Sequence, residues 1–143
     1  MASQVEVQYS SLRIGQEYWV SLPQVTNSSN NPVTVTKAQF VSLPHGLELI
    51  GYKALSVKDS DGYGLGVTPT KGGDEDLTGL PDHAGEPFTV KAHQPADVYY
   101  AARVKVTGPV SDDTSQCRFW YHQKSAAYRQ DLRCVNQLRL ATR

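Results

Sequence analysis

This chain of 143 residues has no net charge, because fourteen Lys and Arg side chains balance fourteen Asp and Glu side chains. Because basic residues are not in excess, the overall charge of the chain does not indicate binding to nucleic acid or to a membrane surface. Long apolar runs are missing too: none approaches the roughly 18–20 residues of a membrane span, so we expect no membrane insertion within this chain. Residues 1–4 have neither the basic nor the apolar region of a signal peptide, so we expect none there, and one interpretation is an excised ectodomain.

The sequence also lacks the spacings that mark common catalytic and metal sites. Its four histidines show no HxH or HExxH pattern, and it contains no Gly-x-Ser-x-Gly nucleophile elbow. The acidic runs at 59–62 and 74–76 do not follow the EF-hand spacing, and the glycine run at 62–66 lacks the lysine and the following helix of a phosphate loop. We therefore predict no catalytic residue, no metal and no cofactor. A small enzyme that uses residues 57–87 is the last of three functional hypotheses.

The residues that the chain does contain favour strands. Hydrophobic residues make up 39% of it, below the usual share, but eight Tyr, three Phe and two Trp provide bulk for a core. Val, Thr and Tyr suit a pleated, half-buried surface. Several short segments alternate polar with apolar residues between turn-forming residues. The segments predicted as strands are 4–9, 17–22, 33–41, 47–52, 88–92, 97–106, 117–122 and 128–140.

This pattern predicts a fold class and a domain organisation. The length suits one domain that spans residues 1–143. Each alternating strand must bury one face, so we predict an all-β, antiparallel β-sandwich of about seven to nine strands. A small barrel is the alternative. Residues 57–87 show no clear period, and we predict either a long functional loop or irregular strands there.

The only cysteines, Cys117 and Cys134, flank a predicted hairpin. A turn centred between Ser125 and Ala126 would place them directly opposite each other, within range of a disulfide. We predict a structural bridge rather than a redox-active dithiol, because the spacing is not Cys-x-x-Cys. A bridge suits an extracellular or cell-envelope location, whereas two free cysteines in a cytoplasmic protein are the alternative.

A further pattern combines four parts of the chain: Gly15–Val20, Thr26–Val33, Pro44–Leu47 and the closing hairpin from Cys117 to Cys134. It resembles the immunoglobulin-like or fibronectin-III-like ectodomains of uncharacterised bacterial cell-envelope proteins, over most of the chain except residues 57–87. The resemblance implies an immunoglobulin-like sandwich that is exported, is often membrane-tethered and has a binding or structural role. It implies no catalytic residues. The cysteines depart from the antibody pattern, because they lie within one hairpin instead of bridging two sheets.

Charge is distributed unevenly along the chain. Residues 57–97 carry three basic and eight acidic side chains, whereas residues 98–143 carry eight basic and three acidic ones. One interpretation is attraction between two parts of one domain, or simply two solvated faces. The other is a basic face made for an acidic partner.

The outward face of the closing hairpin is the best candidate binding site. Alternation directs every second residue outward, and this outward set combines aromatic and Arg side chains, the types enriched in interface hot spots. The strand 98–106 adds further candidates if it lies beside the hairpin. The alternative places Trp120 in the core, which an error of one residue in the register would produce. The candidate binding residues are Tyr99, Arg103, Lys105, Arg118, Trp120, His122, Arg129 and Arg133.

These observations favour a non-catalytic binding or structural module in the extracellular space or the cell envelope. We expect its partner to be a protein and expect no nucleic acid. The second hypothesis is a carbohydrate-binding module, in which Trp19, Trp120 and Tyr99 would stack on sugar rings.

Overall fold

The computed structural model describes residues 1, 5–60, 66–71 and 77–142, which form nine strands and one short helix. In this part of the chain, no helix combines the length and the apolar character that a membrane crossing demands. The elements in chain order are β1 Val5–Leu12, β2 Glu17–Ser21, β3 Val33–Phe40, β4 Leu47–Ser56, α1 Val57–Ser60, β5 Val67–Pro69, β6 Phe88–Val90, β7 Val98–Val106, β8 Thr114–Gln123 and β9 Ala126–Leu140.

The strands form two sheets that pack face to face, which confirms the predicted all-β sandwich. The first sheet has the strand order β1-β9-β8-β3-β6, and the second has the order β4-β7-β2-β5. Among the described residues, neighbouring strands are antiparallel except for β1 and β9, which run parallel with Val5 beside Cys134. The first and last strands of the chain are therefore neighbours in one sheet.

The main core lies between the two sheets and follows the alternation of the strands. In β7, Tyr100 and Val104 point inward, and they belong to the same buried cluster as Phe119 of β8 and Leu138 of β9. Burying one face of each sheet in this way removes apolar area from water, which is the main favourable term in folding. The core positions of β7 are those that its alternating sequence predicts.

A smaller apolar cluster covers the outer side of the second sheet. Trp19 of β2, Leu55 of β4 and Tyr99 of β7 are buried there together with Leu77, and Leu80 packs against them. Part of the segment predicted as irregular therefore acts as a cover for the sheet. The same segment also contributes α1 and β5.

Other features predicted within this segment lie outside the described residues. They are Asp61 of the first acidic run, the whole run 74–76 and residues 62–65 of the glycine run.

The hairpin of β8 and β9 contains the predicted disulfide, but its register differs from the prediction. Cys117 and Cys134 are bonded with their Cα atoms 5.9 Å apart. However, Cys117 lies opposite Leu132, not opposite Cys134. The loop is shorter than the sequence predicts, because only Lys124 and Ser125 connect the strands and Lys124 adopts a left-handed φ of 56°.

The bridge forms despite this difference because it joins diagonal positions. An irregularity between Thr114 and Gln116 shifts the register beside the disulfide, and such bulges bend a strand locally. The displacement is two residues on the partner strand. Since side chains alternate with a period of two, every residue keeps the face that the sequence predicts.

Candidate functional site

The predicted binding residues lie on two different sheets. Those of β8 and β9 share the outer face of the first sheet, whereas Tyr99, Arg103 and Lys105 belong to β7 in the second sheet. The condition under which β7 would add residues to the hairpin's face is therefore not met. In the structure, β7 pairs with β2 and β4, and the hairpin lies between β1 and β3. The eight candidates do not form one surface.

The outward-facing residues of the hairpin lie at the surface of the first sheet. Along β8, the inward-facing Cys117 and Phe119 are buried. The outward-facing Arg118 and Trp120 are half-buried, and His122 is exposed. The interpretation of Trp120 as a core residue is thereby wrong, because its side chain lies on the face away from the main core. Trp120 lies near the middle of β8, with β9 on one side and β3 on the other.

Two cations flank Trp120 across the strands. Lys37 of β3 pairs with Trp120, and its Nζ atom lies 5.0 Å from the centroid of the indole ring. Arg129 of β9 is the residue directly opposite Trp120 on the other side. Directly opposite residues have Cβ atoms roughly 5 Å apart, so the three side chains form a row across three strands.

Lys37 is a site residue that the sequence analysis missed. A register shift between Val35 and Lys37 makes Thr36 the extra residue of β3, and it brings Lys37 rather than Thr36 opposite Trp120. The Thr36 hydroxyl instead donates to the carbonyl oxygen of Trp120 at 3.2 Å. Alternation that starts from the buried Val33 and Val35 places Lys37 on the buried face, and the bulge moves it to the outer face. The sequence therefore contains no direct signal for the pair.

The other charges of this face are matched in ion pairs. Arg118 donates two hydrogen bonds to the Asp131 carboxylate, at 2.8 and 3.1 Å. The Arg118 guanidinium holds the pKa of Asp131 below its usual value, and Asp131 raises the pKa of Arg118. Arg133 pairs with Glu6 of β1 at 2.7 Å.

Lys37 and Arg129 differ from these paired residues. Among the described residues, neither side chain forms an ion pair or a side-chain hydrogen bond with another residue. The unmatched positive charge is therefore concentrated on the two sides of Trp120. We call this surface the Trp120 face, and it consists of Lys37, Arg118, Trp120, His122, Arg129, Asp131 and Arg133.

The aromatic residues of the second sheet are placed differently. Trp19 is 5% exposed and Tyr99 is 1% exposed, and both are covered by Leu77. The Tyr99 hydroxyl donates to Ser60 Oγ at 2.8 Å. Stacking on a sugar needs an accessible ring face, so in this arrangement Trp19 and Tyr99 do not serve as the predicted sugar platform.

Lys53 holds the covering segment against the second sheet. Its side chain is almost fully buried, and Nζ donates to the carbonyl oxygens of Leu77 and Thr78 at 3.0 and 2.8 Å. Asp82 contributes a second clamp, because its Oδ1 atom accepts hydrogen bonds from the backbone N–H groups of Ala54 and Ala84, both at 2.9 Å. These contacts give both charged side chains a structural role.

Arg103 and Lys105 lie on the outer side of the second sheet. Arg103 Nε donates to Glu17 at 2.6 Å, and its guanidinium carbon lies 5.8 Å from the centroid of the Trp19 ring. Lys105 is exposed between Glu17 and Glu48 on the neighbouring strands. Each cation therefore has a carboxylate on an adjacent strand. This surface has no excess of charge comparable to that around Trp120.

A cavity of about 330 Å³ opens beside Arg103, and it contains both signs of charge. Lys53 and Arg103 line it together with Asp82, while the exposed Ile50 supplies an apolar wall. In the described ranges, no three His, Cys, Asp or Glu side chains are grouped as a metal site would require. The geometry of this cavity does not define a reaction.

Comparisons with known proteins add no family to these observations. The chain matches no protein-family model, no curated protein and no solved structure. Any functional argument therefore depends on the residues of the chain itself.

Proposed function

We propose that this protein is a non-catalytic binding module of the extracellular space or the cell envelope, and that it binds a partner protein through the Trp120 face. One observation carries the proposal: a half-buried Trp lies on an open sheet face between two cations, Lys37 and Arg129, and neither cation forms an ion pair with a described residue. Trp and Arg are the residues most often found in interface hot spots.

The strands beneath this face support a binding role. Trp120 and Arg129 belong to the two longest strands of the first sheet, and the disulfide joins those strands. A site on paired strands loses little conformational freedom when a partner binds, and such preorganisation favours affinity.

The disulfide supports the proposed location. Cys117 and Cys134 are both bonded and both buried. Structural disulfides persist in oxidising compartments and are rare in the cytosol of most organisms. The location in the extracellular space or the envelope is therefore consistent with the residue chemistry, and it places the Trp120 face where it would meet an extracellular partner.

A cell-binding experiment tests the proposed function. Fluorescently labelled protein is added to cells of the source organism, and the bound fraction is measured before and after treatment of the cells with protease. We expect saturable, protease-sensitive binding that Trp120→Ala abolishes. Tyr128→Ala is the matched control, because Tyr128 is an exposed aromatic of the same hairpin, 46% accessible, outside the Trp120 face. Binding that survives Trp120→Ala, or that Tyr128→Ala abolishes equally, contradicts the proposal.

Carbohydrate binding is the second candidate, and the accessible ring of Trp120 is the observation that favours it. Of the three aromatics predicted to contact sugar, Trp120 alone lies at a partly open surface, because Trp19 and Tyr99 are buried. Binding that resists protease but is lost after periodate oxidation of the cell-surface sugars would favour this candidate over a protein partner.

A further inference from the structure

We propose that the Trp120 face recognises an extended acidic segment of the partner protein, with a carboxylate on each side of an apolar residue. This inference depends on the proposed function and specifies the chemistry of the partner. The apolar residue would pack on the Trp120 ring, and the two carboxylates would pair with Lys37 and Arg129, which lie on opposite sides of it.

The charge distribution supports an acidic partner. Asp131 binds Arg118, and Glu6 binds Arg133, so these four side chains neutralise one another in pairs. Lys37 and Arg129 are left as an excess of two positive charges beside Trp120. A partner that supplies two carboxylates would complete the pattern, and complementary charge of this kind favours the correct partner over others.

The spacing supports an extended segment that crosses the strands. Neighbouring strands lie roughly 4.8 Å apart, so Lys37 and Arg129 are separated by about 10 Å at the backbone. In an extended peptide, residues i and i+2 point to the same side roughly 6.6–6.8 Å apart. Acidic residues at i and i+4 would therefore bracket an apolar residue at i+2 above Trp120. The side chains of Lys37 and Arg129 are long enough to reach the carboxylates of these two acidic residues.

The same charges argue against nucleic acid. A phosphate backbone presents a continuous row of negative charge and is bound by a stripe of Lys and Arg. Asp131 on the Trp120 face, and Glu6 on the neighbouring β1, interrupt such a stripe. Two separated cations around an apolar contact fit a polypeptide with spaced carboxylates better.

The test measures binding of a defined peptide by NMR. The probe is a blocked pentapeptide, Glu-Ser-Phe-Ser-Glu, which is titrated into the isotope-labelled protein to about 10 mM while the Trp120 indole and backbone signals are followed. We expect saturable shifts confined to the Trp120 face, with a Kd on the order of 1 mM. The matched peptide Gln-Ser-Phe-Ser-Gln should bind at least about fivefold more weakly, because it lacks the carboxylates.

Protein variants separate local recognition from general attraction. Lys37→Gln and Arg129→Gln should each weaken the Glu peptide about three- to fivefold, which is the upper range for a surface ion pair. Arg139→Gln is the control, since it changes the net charge equally but pairs with Asp113 outside the Trp120 face, and it should leave Kd within about twofold. Trp120→Ala should weaken binding about tenfold.

Four results would overturn the inference. They are the absence of saturable shifts at the Trp120 face, equal binding of the Gln peptide, equal loss in Arg139→Gln and Arg129→Gln, and tighter Trp120-dependent binding of trigalacturonate or a short oligothymidylate than of the Glu peptide. The last result would assign the face to an acidic glycan or to nucleic acid.

The cell-binding experiment shows whether only the partner chemistry is wrong or the proposed binding function is wrong as well. If the peptide does not bind but cell binding still requires Trp120, the partner chemistry is wrong and the proposed binding function stands. If Trp120→Ala changes neither measurement, both are wrong.

Discussion

At the scale of single residues, neighbouring positions of β8 have opposite roles. Phe119 is 2% exposed in the main core, whereas Trp120 lies on the outer face of the same strand. We expect Phe119→Ala to lower the free energy of unfolding by about 3–5 kcal/mol, because it leaves a cavity. Trp120→Ala should cost only about 1 kcal/mol, largely the contact with Lys37. Urea unfolding of both variants measures the difference, and similar losses would contradict the assigned faces.

Tyr100 makes the free energy of unfolding depend on pH in the alkaline range. Burial raises the pKa of its phenol to about 12, and the nearby charge of Asp82 adds to the effect. The pKa is higher in the folded than in the unfolded state, so the unfolded chain releases the proton first as pH rises. The stabilisation is present in full below the unfolded pKa of about 10 and is lost as pH rises through about 12.

The substitution Tyr100→Phe tests this dependence. We expect the variant to lose stability less steeply than the unchanged protein above about pH 10, while part of the slope persists because burial also raises the pKa of Tyr9 and Tyr52. Denaturant midpoints at several pH values measure the slopes. An unchanged slope in Tyr100→Phe would show that this phenol isn't the responsible group.

At the scale of elements, the disulfide links the two central strands of the candidate site. Cys117 and Cys134 are 17 residues apart, and closing a loop of about this length is worth roughly 3 kcal/mol. We expect the double variant Cys117→Ala, Cys134→Ala to lose about 2–4 kcal/mol of unfolding free energy. Reduction of the unchanged protein is the control and should produce a similar loss. A loss well below about 1 kcal/mol in both would contradict a stabilising role.

The cover of the second sheet depends on Asp82. Asp82→Ala removes the acceptor of two backbone N–H groups, those of Ala54 and Ala84, and should cost about 1–3 kcal/mol. Asp82→Asn keeps an acceptor oxygen and should cost less. Hydrogen exchange at the Ala54 amide and Trp19 fluorescence measure the opening of the cover. Equal behaviour of the two variants would show that the accepting oxygen doesn't hold the segment.

These elements show how far sequence patterns extend. Alternation is a local consequence of strand geometry, and it correctly predicts that Phe119 and Trp120 face opposite ways. The register of the hairpin depends on which residues form the turn, and Lys124 takes a left-handed conformation that its residue type does not signal. The pairing of Lys37 with Trp120 depends in addition on a bulge in β3, so it was not predictable from alternation.

At the scale of the whole molecule, the two outer faces lie on opposite sides of the sandwich. Lys105 is on the second sheet, while Arg129 is on the first. We expect Lys105→Gln to leave the Kd of the Glu peptide within about twofold, because exposed charges at this distance are screened by salt. NMR titration at about 0.15 M salt measures it. A loss equal to that in Arg129→Gln would show that overall charge, not the Trp120 face, attracts the peptide.

The sequence by itself determined most of the strands, the faces that β7, β8 and β9 bury and the pairing of its only two cysteines, because these follow from a period of two and from residues near one another in the chain. Only the tertiary structure decided which strands are neighbours. It separated Tyr99, Arg103 and Lys105 from the hairpin and brought Lys37 to Trp120. It also covered Trp19 with residues 77–80. The physical reason is that strand neighbours are selected by the joint burial of segments far apart in the chain, a choice that no local pattern specifies.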